Sequence, residues 1–265
     1  MKYQDLHTHS LFDDGSATLE DMVLSAVRCG LSSIGFSGHS PMAGADWTIQ
    51  QERLPAYFSQ ARALQKQYRG VISIFCGMEW DLSTPLPEEE TDYLIGSQHL
   101  LGSGPDAFEI DYYRERTLEG VAHLFSGDYA AAEDAYYAGF EALLNEPRAR
   151  IVGHYDIITK FDEEHRLFRY APPSALDMME KLVKADKVFE VNTGAIHRIG
   201  RLTPFPSVPL LQALHEMNGK VTLSSDSHRT DTLLFAFDAQ LRTLRECGFR
   251  EIWLLGEDGF YPEPV

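Results

Sequence analysis

Cysteine is scarce in this 265-residue chain, and so is positive charge. Its three cysteines, Cys29, Cys76 and Cys247, lie far apart, are odd in number and never form Cys-x-x-Cys, which excludes a disulfide framework and a zinc ribbon and points to a reducing cytoplasm. The 23 Lys and Arg stand against 40 Asp and Glu, a formal charge of −17. Gripping a nucleic-acid backbone takes clustered cations that displace counterions, so nucleic acid is not an expected partner. No apolar run approaches the roughly 20 residues needed to cross a bilayer, and Met1–His7 shows no apolar stretch behind a basic start. The expectation is a soluble, unexported protein without a membrane partner; the sequence carries no signal for its oligomeric state.

What is present is enough apolar sequence for a large core, 44% of the chain, and no linker, repeat or low-complexity tract, so residues 1–265 read as one domain. Short apolar runs alternate with amphipathic ones, the pattern of strands followed by crossover helices. Strands are expected at Tyr3–His7, Ser33–Ser37, Val71–Glu79, Tyr93–Ser97, Ile151–His154, Val188–Val191 and Val221–Ser224, with Glu251–Leu255 as a further candidate. Thr18 caps a helix that stops at Gly30, and another spans about Gln50 to Tyr68. The segment from about Leu100 to Gly127 breaks the rhythm and reads as a long loop over the mouth of the fold. Met178-Met179 and Phe235-Ala236-Phe237 read as helix core faces.

Ten histidines are the other abundance. His7-Thr8-His9 ends the first strand, and residues two apart on an extended segment face one side, so both imidazoles can address one ion. By itself H-x-H is a weak signal. Its weight comes from recurrence at strand ends: Gly38-His39, Met78-Glu79, Gln98-His99, Gly153-His154 and Asp226-Ser227-His228. In a (β/α) barrel those ends converge on one face, whereas an open doubly wound sheet would gather only a few of them. Imidazoles mixed with carboxylates suit Zn, Mn or Fe better than Mg or Ca, and there are too many ligands for one ion. His123, His165 and His215 lack ligand neighbours and read as surface or packing residues.

Taken jointly, these motifs resemble the polymerase and histidinol phosphatase (PHP) family, from residue 5 to about residue 230. The resemblance implies a distorted (β/α)7 barrel of the PHP type, with three divalent transition-metal ions at the C-terminal ends of its strands. By motif, His7, His9, Glu79 and Asp226 would hold the first ion; Glu79, as a bridge, with His99 and His154 the second; and Asp14, His39 and His228 the third. Some relatives have His in place of Asp14, which leaves Asp13 as a rival ligand. Such a site suits hydrolysis of a phosphate monoester by a metal-bridging hydroxide, with Glu79 and Asp226 central to catalysis.

Within the family, Glu190–Gly194, His197-Arg198 and Ser224–Arg229 are similar to the monofunctional histidinol-phosphate phosphatases, which implies L-histidinol phosphate as substrate. A PHP phosphatase acting on nucleotides or general phosphomonoesters is the alternative, and a non-enzymatic PHP module a remote one. Arg198 and then Lys160 are the candidate phosphate clamps, since a guanidinium fork matches phosphate oxygens. Glu109 and Asp111 are candidates for the substrate's ammonium, His197 is a further candidate near the mouth, and Glu190 and Asn192 are expected to orient metal-bound imidazoles.

Overall fold

Strands buried along their whole length, such as Ser33–Phe36 and Tyr93–Ser97, need cover on both faces, and a parallel sheet wrapped by helices supplies it. The computed structural model describes residues 2–265. In chain order come β1 (Gln4–Asp5), α1 (Leu19–Cys29), β2 (Ser33–Phe36), α2 (Leu54–Gln67), β3 (Ser73–Asp81), β4 (Tyr93–Ser97), β5 (Leu100–Leu101), β6 (Phe108–Glu109), α3 (Arg114–Phe125), α4 (Tyr129–Gly139) and β7 (Ala149–Val152). Then follow α5 (Pro173–Lys184), β8 (Val188–Asn192), α6 (Gly194–Ile199), α7 (Val208–Glu216), β9 (Lys220–Ser224), α8 (Phe237–Cys247), β10 (Glu251–Gly256) and β11 (Gly259–Pro264). Local signals act where expected: Thr18 and Asp21 form a reciprocal capping box on α1, and Gly30 ends it at φ 78°.

Seven parallel strands, in the order β1-β2-β3-β4-β7-β8-β9, curl into a nearly closed barrel. The first and last strands meet just beyond their ends: Thr8 bridges Ser227, with His9 N donating to Ser227 O at 2.9 Å and Ser227 N to His7 O at 3.1 Å. Below this seam the buried Asp5 carboxylate accepts Ser225 N (3.1 Å) and the Ser225 hydroxyl. Burial raises the Asp5 pKa to about 6 against the pull of those donors.

The barrel interior is packed with Leu6, Phe75, Tyr93, Ile95, Ile151 and Leu255. Tyr93 donates its hydroxyl to Leu6 O at 2.5 Å, and its ring fills the space left by two glycines. A Cβ at Gly35 or Gly77 would fall 2.2 or 2.4 Å from Tyr93 atoms.

Four expectations change, the first being that strand Tyr3–His7 is only Gln4–Asp5. Glu251–Leu255 does not join the barrel; β10 pairs antiparallel with β11, and Gln4 exchanges two side-chain hydrogen bonds with Leu255 (2.7 and 2.9 Å), so the hairpin closes the N-terminal end. Leu100–Gly127 is the β5–β6 hairpin followed by α3, because Leu101, Phe108, Ile110 and Val121 bury together despite the charges between them. Phe235 is 37% exposed in the turn before α8, where Ala236 adopts a left-handed conformation, and only Phe237 enters the core. Met178 and Met179 are buried as expected.

Gly77→Ala would overpack Tyr93 within the barrel. The expected loss is about 1–3 kcal/mol of unfolding free energy, measured by urea titration.

Candidate metal centre

The nine residues expected as ligands are all at the barrel mouth, in four overlapping groups whose donor atoms lie within 4.8 Å of one another. β3 projects Glu79 into the middle. Its Oε2 lies 3.2 Å from His7 Nε2, 3.7 Å from His9 Nε2 and 2.9 Å from His39 Nδ1. Its Oε1 lies 2.9 Å from His154 Nε2 and 3.3 Å from His99 Nε2. One carboxylate therefore faces five imidazoles, each oxygen serving a different group. Asp226 Oδ1 adds an oxygen 3.3 Å from His9 Nε2. At the outer rim, Asp14 Oδ1 is 3.1 Å from His228 Nε2 and 3.8 Å from His39 Nε2.

Behind the ring nitrogens stand three more carboxylates. His7 Nδ1 donates to Glu190 (2.8 Å), His9 Nδ1 to Asp13 (2.6 Å) and His99 Nδ1 to Asp81 (3.0 Å), which turns each Nε2 toward Glu79. Glu190 also accepts His154 N, Ser224 Oγ and Asn192 Nδ2; Asn192 contacts no imidazole and instead donates from Nδ2 to the carboxylates of Glu190 and Asp226. Asp13 sits behind His9 and also accepts His39 N at 3.1 Å; it holds ligands in place. Asp81 and Trp47 are the residues the sequence reading missed. Glu79-x-Asp81 on one face of β3 was the available signal for Asp81. Trp47, on an irregular connection, packs its edge on His39 (4.7 Å) and His99 (5.9 Å) and had none.

The donors fit divalent transition-metal ions. His7 Nε2, His9 Nε2 and Glu79 Oε2 are buried without a hydrogen-bond partner although all point at one another. His99 Nε2 and His154 Nε2 face each other at 3.2 Å beside Glu79 Oε1. Donors about 2.0–2.2 Å from a shared ion stand roughly 2.9–3.5 Å apart, the spacing of most pairs here, with Glu79–His9 (3.7 Å) and Asp14–His39 (3.8 Å) somewhat wider. The energetics agree. Burial opposes ionisation of Glu79, yet His7, His39 and His99 hold its pKa well below the usual carboxylate range; burial opposes ionisation of Asp226 too, and Arg198 and His7 lower it.

A cleft of about 230 Å³ opens above Glu79, sized for a small molecule. Lys160, Arg198, Glu109, Asp111, Tyr112 and Trp47 line it together with seven of the nine expected ligands, all but His7 and His9. Lys160 Nζ donates to Asp111 O (2.6 Å) and lies 3.3 Å from Asp111 Oδ2, while Glu109 pairs with Arg116 at 3.0 Å. Arg198 places its fork on Asp226, at 2.7 and 3.1 Å. His197 is exposed, packs on Phe235 and lines a separate groove beside Arg198. His123, His165 and His215 lie outside the centre, against Asp106, Tyr170 and Phe249.

A family model described as PHP domain matches residues 5–194, which carry seven of the nine expected ligands. The chain belongs to the PHP domain family. Asp226 and His228, past the matched range, are brought beside the other seven by the β1–β9 seam. Among curated PHP relatives, a Deinococcus radiodurans protein named "Probable histidinol-phosphatase" is 28% identical over 94% of this chain and 95% of its own. A histidinol-phosphatase from Bacillus subtilis is 23% identical, covering 91% of this chain and 99% of the relative. The fold matches histidinol phosphate phosphatase of Lactococcus lactis, solved with zinc, L-histidinol and phosphate, at a TM-score of 0.71 and 21% identity, over 98% of this chain and 99% of that one. Among the described residues of this PHP chain, no helix is long and apolar enough to cross a membrane.

Two outcomes are expected. Asp81→Ala removes the acceptor that fixes the His99 tautomer and should weaken zinc or manganese binding about 10–100-fold, measured by competition with a chromogenic chelator. Burial alone would lower the pKa of His7 and His9, but Glu190 and Glu79 raise His7 well above its ordinary value, and Asp13 carries His9 to about 10. Chelator-treated protein thus holds protons where metal binds. Metal uptake at neutral pH should release protons, and affinity should rise with pH towards about 10, as read by calorimetry in buffers of different ionisation enthalpy.

Proposed function

We propose that the chain is a metal-dependent phosphomonoesterase that hydrolyses L-histidinol phosphate to L-histidinol and phosphate. The observation that carries the reaction type is Glu79, one buried carboxylate whose two oxygens address separate sets of imidazoles at the floor of a small cleft with cationic side chains in its wall. In this reading His7, His9, Glu79 and Asp226 hold one ion, Glu79, His99 and His154 a second, and Asp14, His39 and His228 a third, with Zn, Mn or Fe as the candidates. Such ions supply a nucleophile from water at neutral pH and positive charge for the phosphoryl oxygens.

The chain's own residues do the rest. Lys160 and Arg198 both line the cleft as donors to phosphate oxygens, Lys160 as a point charge and Arg198 as a fork. An arriving phosphate competes with Asp111 for Lys160 and with Asp226 for Arg198. Asp111, whose ionised form Lys160, His99 and His154 favour against the opposing effect of burial, is then available to the substrate's ammonium, with Glu109 beside it. Trp47 covers His39 and His99 and keeps bulk water from that side of the cleft. The substrate is supported by the names of the Deinococcus and Bacillus relatives and by the histidinol in the Lactococcus structure. A biosynthetic enzyme of this kind belongs in the cytoplasm, where three free thiols stay reduced.

The deciding experiment assays manganese- or zinc-loaded protein against a panel of phosphomonoesters. L-Histidinol phosphate should give the highest kcat/KM; turnover no faster than p-nitrophenyl phosphate would leave a PHP phosphatase of other specificity. Glu79→Gln should lower kcat at least about a hundredfold, since it weakens the one ligand common to two ions.

A further inference from the structure

Lys160 and Arg198 stand on separate connections, Lys160 after β7 and Arg198 in α6 after β8. The loops are joined by a buried polar stitch outside the metal centre. Arg201, 4% exposed, donates from Nη1 to Thr159 O at 2.6 Å, immediately before Lys160. Its guanidinium lies over the Phe205 ring at 4.5 Å. From the β7 loop, Glu163 Oε1 accepts Leu202 N (2.8 Å), Thr203 N (2.9 Å) and the Thr203 hydroxyl (2.8 Å), and Asp156 Oδ2 accepts Ser207 N at 2.9 Å. Every one of these bonds crosses from one loop to the other.

A guanidinium this buried carries a desolvation cost that a hydrophobic side chain would avoid. Arg201 Nε lies 3.9 Å from Glu163 Oε1, so the guanidinium also faces the carboxylate that holds Leu202 and Thr203. What it does achieve is positional. Arg201 follows Arg198 by one turn of chain through Gly200, whose φ of 72° reverses the direction at the end of α6, and it grips the peptide preceding Lys160. Lys160 is thereby held at its backbone by Arg201 and at its Nζ by Asp111.

We infer that Arg201 is a positioning residue that sets the distance between Lys160 and Arg198 and so tunes the cleft to a phosphate group. The inference rests on the reading of those two cations as phosphate contacts. It acts on binding of the phosphoryl group, leaving the metal ligands where they are.

The test measures the affinity of metal-loaded full-length protein for inorganic phosphate by calorimetry, a quantity independent of which ester is turned over, together with KM and kcat for L-histidinol phosphate. Arg201→Lys keeps the charge and loses the fork; it should weaken phosphate binding and raise KM about tenfold, with kcat within about threefold and metal content unchanged. Glu163→Ala, at the part-exposed side of the stitch, should shift both in the same direction and serves if Arg201 variants fold poorly. In a Lys160→Ala background Arg201→Lys should add less than about twofold, because the two act through one contact. A loss of active protein with phosphate affinity and KM unchanged would mean a merely structural role and would overturn the inference. So would equal effects of Arg201→Lys with and without Lys160. If Lys160→Ala leaves phosphate affinity unchanged, the assignment of Lys160 fails and the inference with it; if phosphate affinity behaves as expected and only histidinol phosphate is a poor substrate, the substrate reading alone fails.

Discussion

Uncompensated charge taken out of water is the constraint on which the rest of this structure depends. Glu79, Asp226, Asp81 and Glu190 are each 5% exposed or less, and they share the barrel mouth with His7, His9, His99 and His154, which are equally buried. Left unpaired, such carboxylates would cost several kcal/mol apiece. The arrangement pairs them in two layers. Glu190, Asp13 and Asp81 neutralise the far side of three rings, while Glu79, Asp226 and Asp14 face the near side. The acidity of the whole chain is thus of two kinds, a solvated outer surface and a concentrated inner set that makes a site for positive charge.

Building that site and closing the barrel are one event. The bridge that joins the first strand to the last runs between Thr8 and Ser227, and each of those residues sits inside a ligand pair, His7 and His9 on one side and Asp226 and His228 on the other. A slip of one residue at the seam would turn both pairs away from Glu79. Residues far apart in sequence acquire their register from the same two backbone hydrogen bonds that make the sheet continuous.

This explains which parts of the structure were legible in the sequence. His7, Glu79, His99, His154 and Asp226 lie at the ends of apolar runs, and a parallel barrel leaves one place for such ends to meet. The short strand β1 was overread because Leu6 and His7 continue its pattern while the ladder stops at Asp5. The run at Glu251–Leu255 has the composition of a barrel strand, and only the partner it finds, β11, puts it elsewhere. Leu100–Gly127 looked like a loop because its buried residues are too sparse to show a period, yet Phe108 packs directly on Gly120 in α3. Trp47 and Arg201 sit on irregular connections, where spacing carries no direction, and their contacts exist only in three dimensions.

The β10–β11 hairpin gives the molecule a floor. With Leu255 seated among Phe75, Tyr93 and Ile151, the barrel is filled from below and is open on one side alone. Glu79 is therefore the bottom of a well rather than a station along a tunnel. Anything that reaches it arrives past Lys160, Trp47 and Arg198, and whatever is made there leaves by the same door, so the order in which products depart is set at the rim, by the side chains that admitted the substrate.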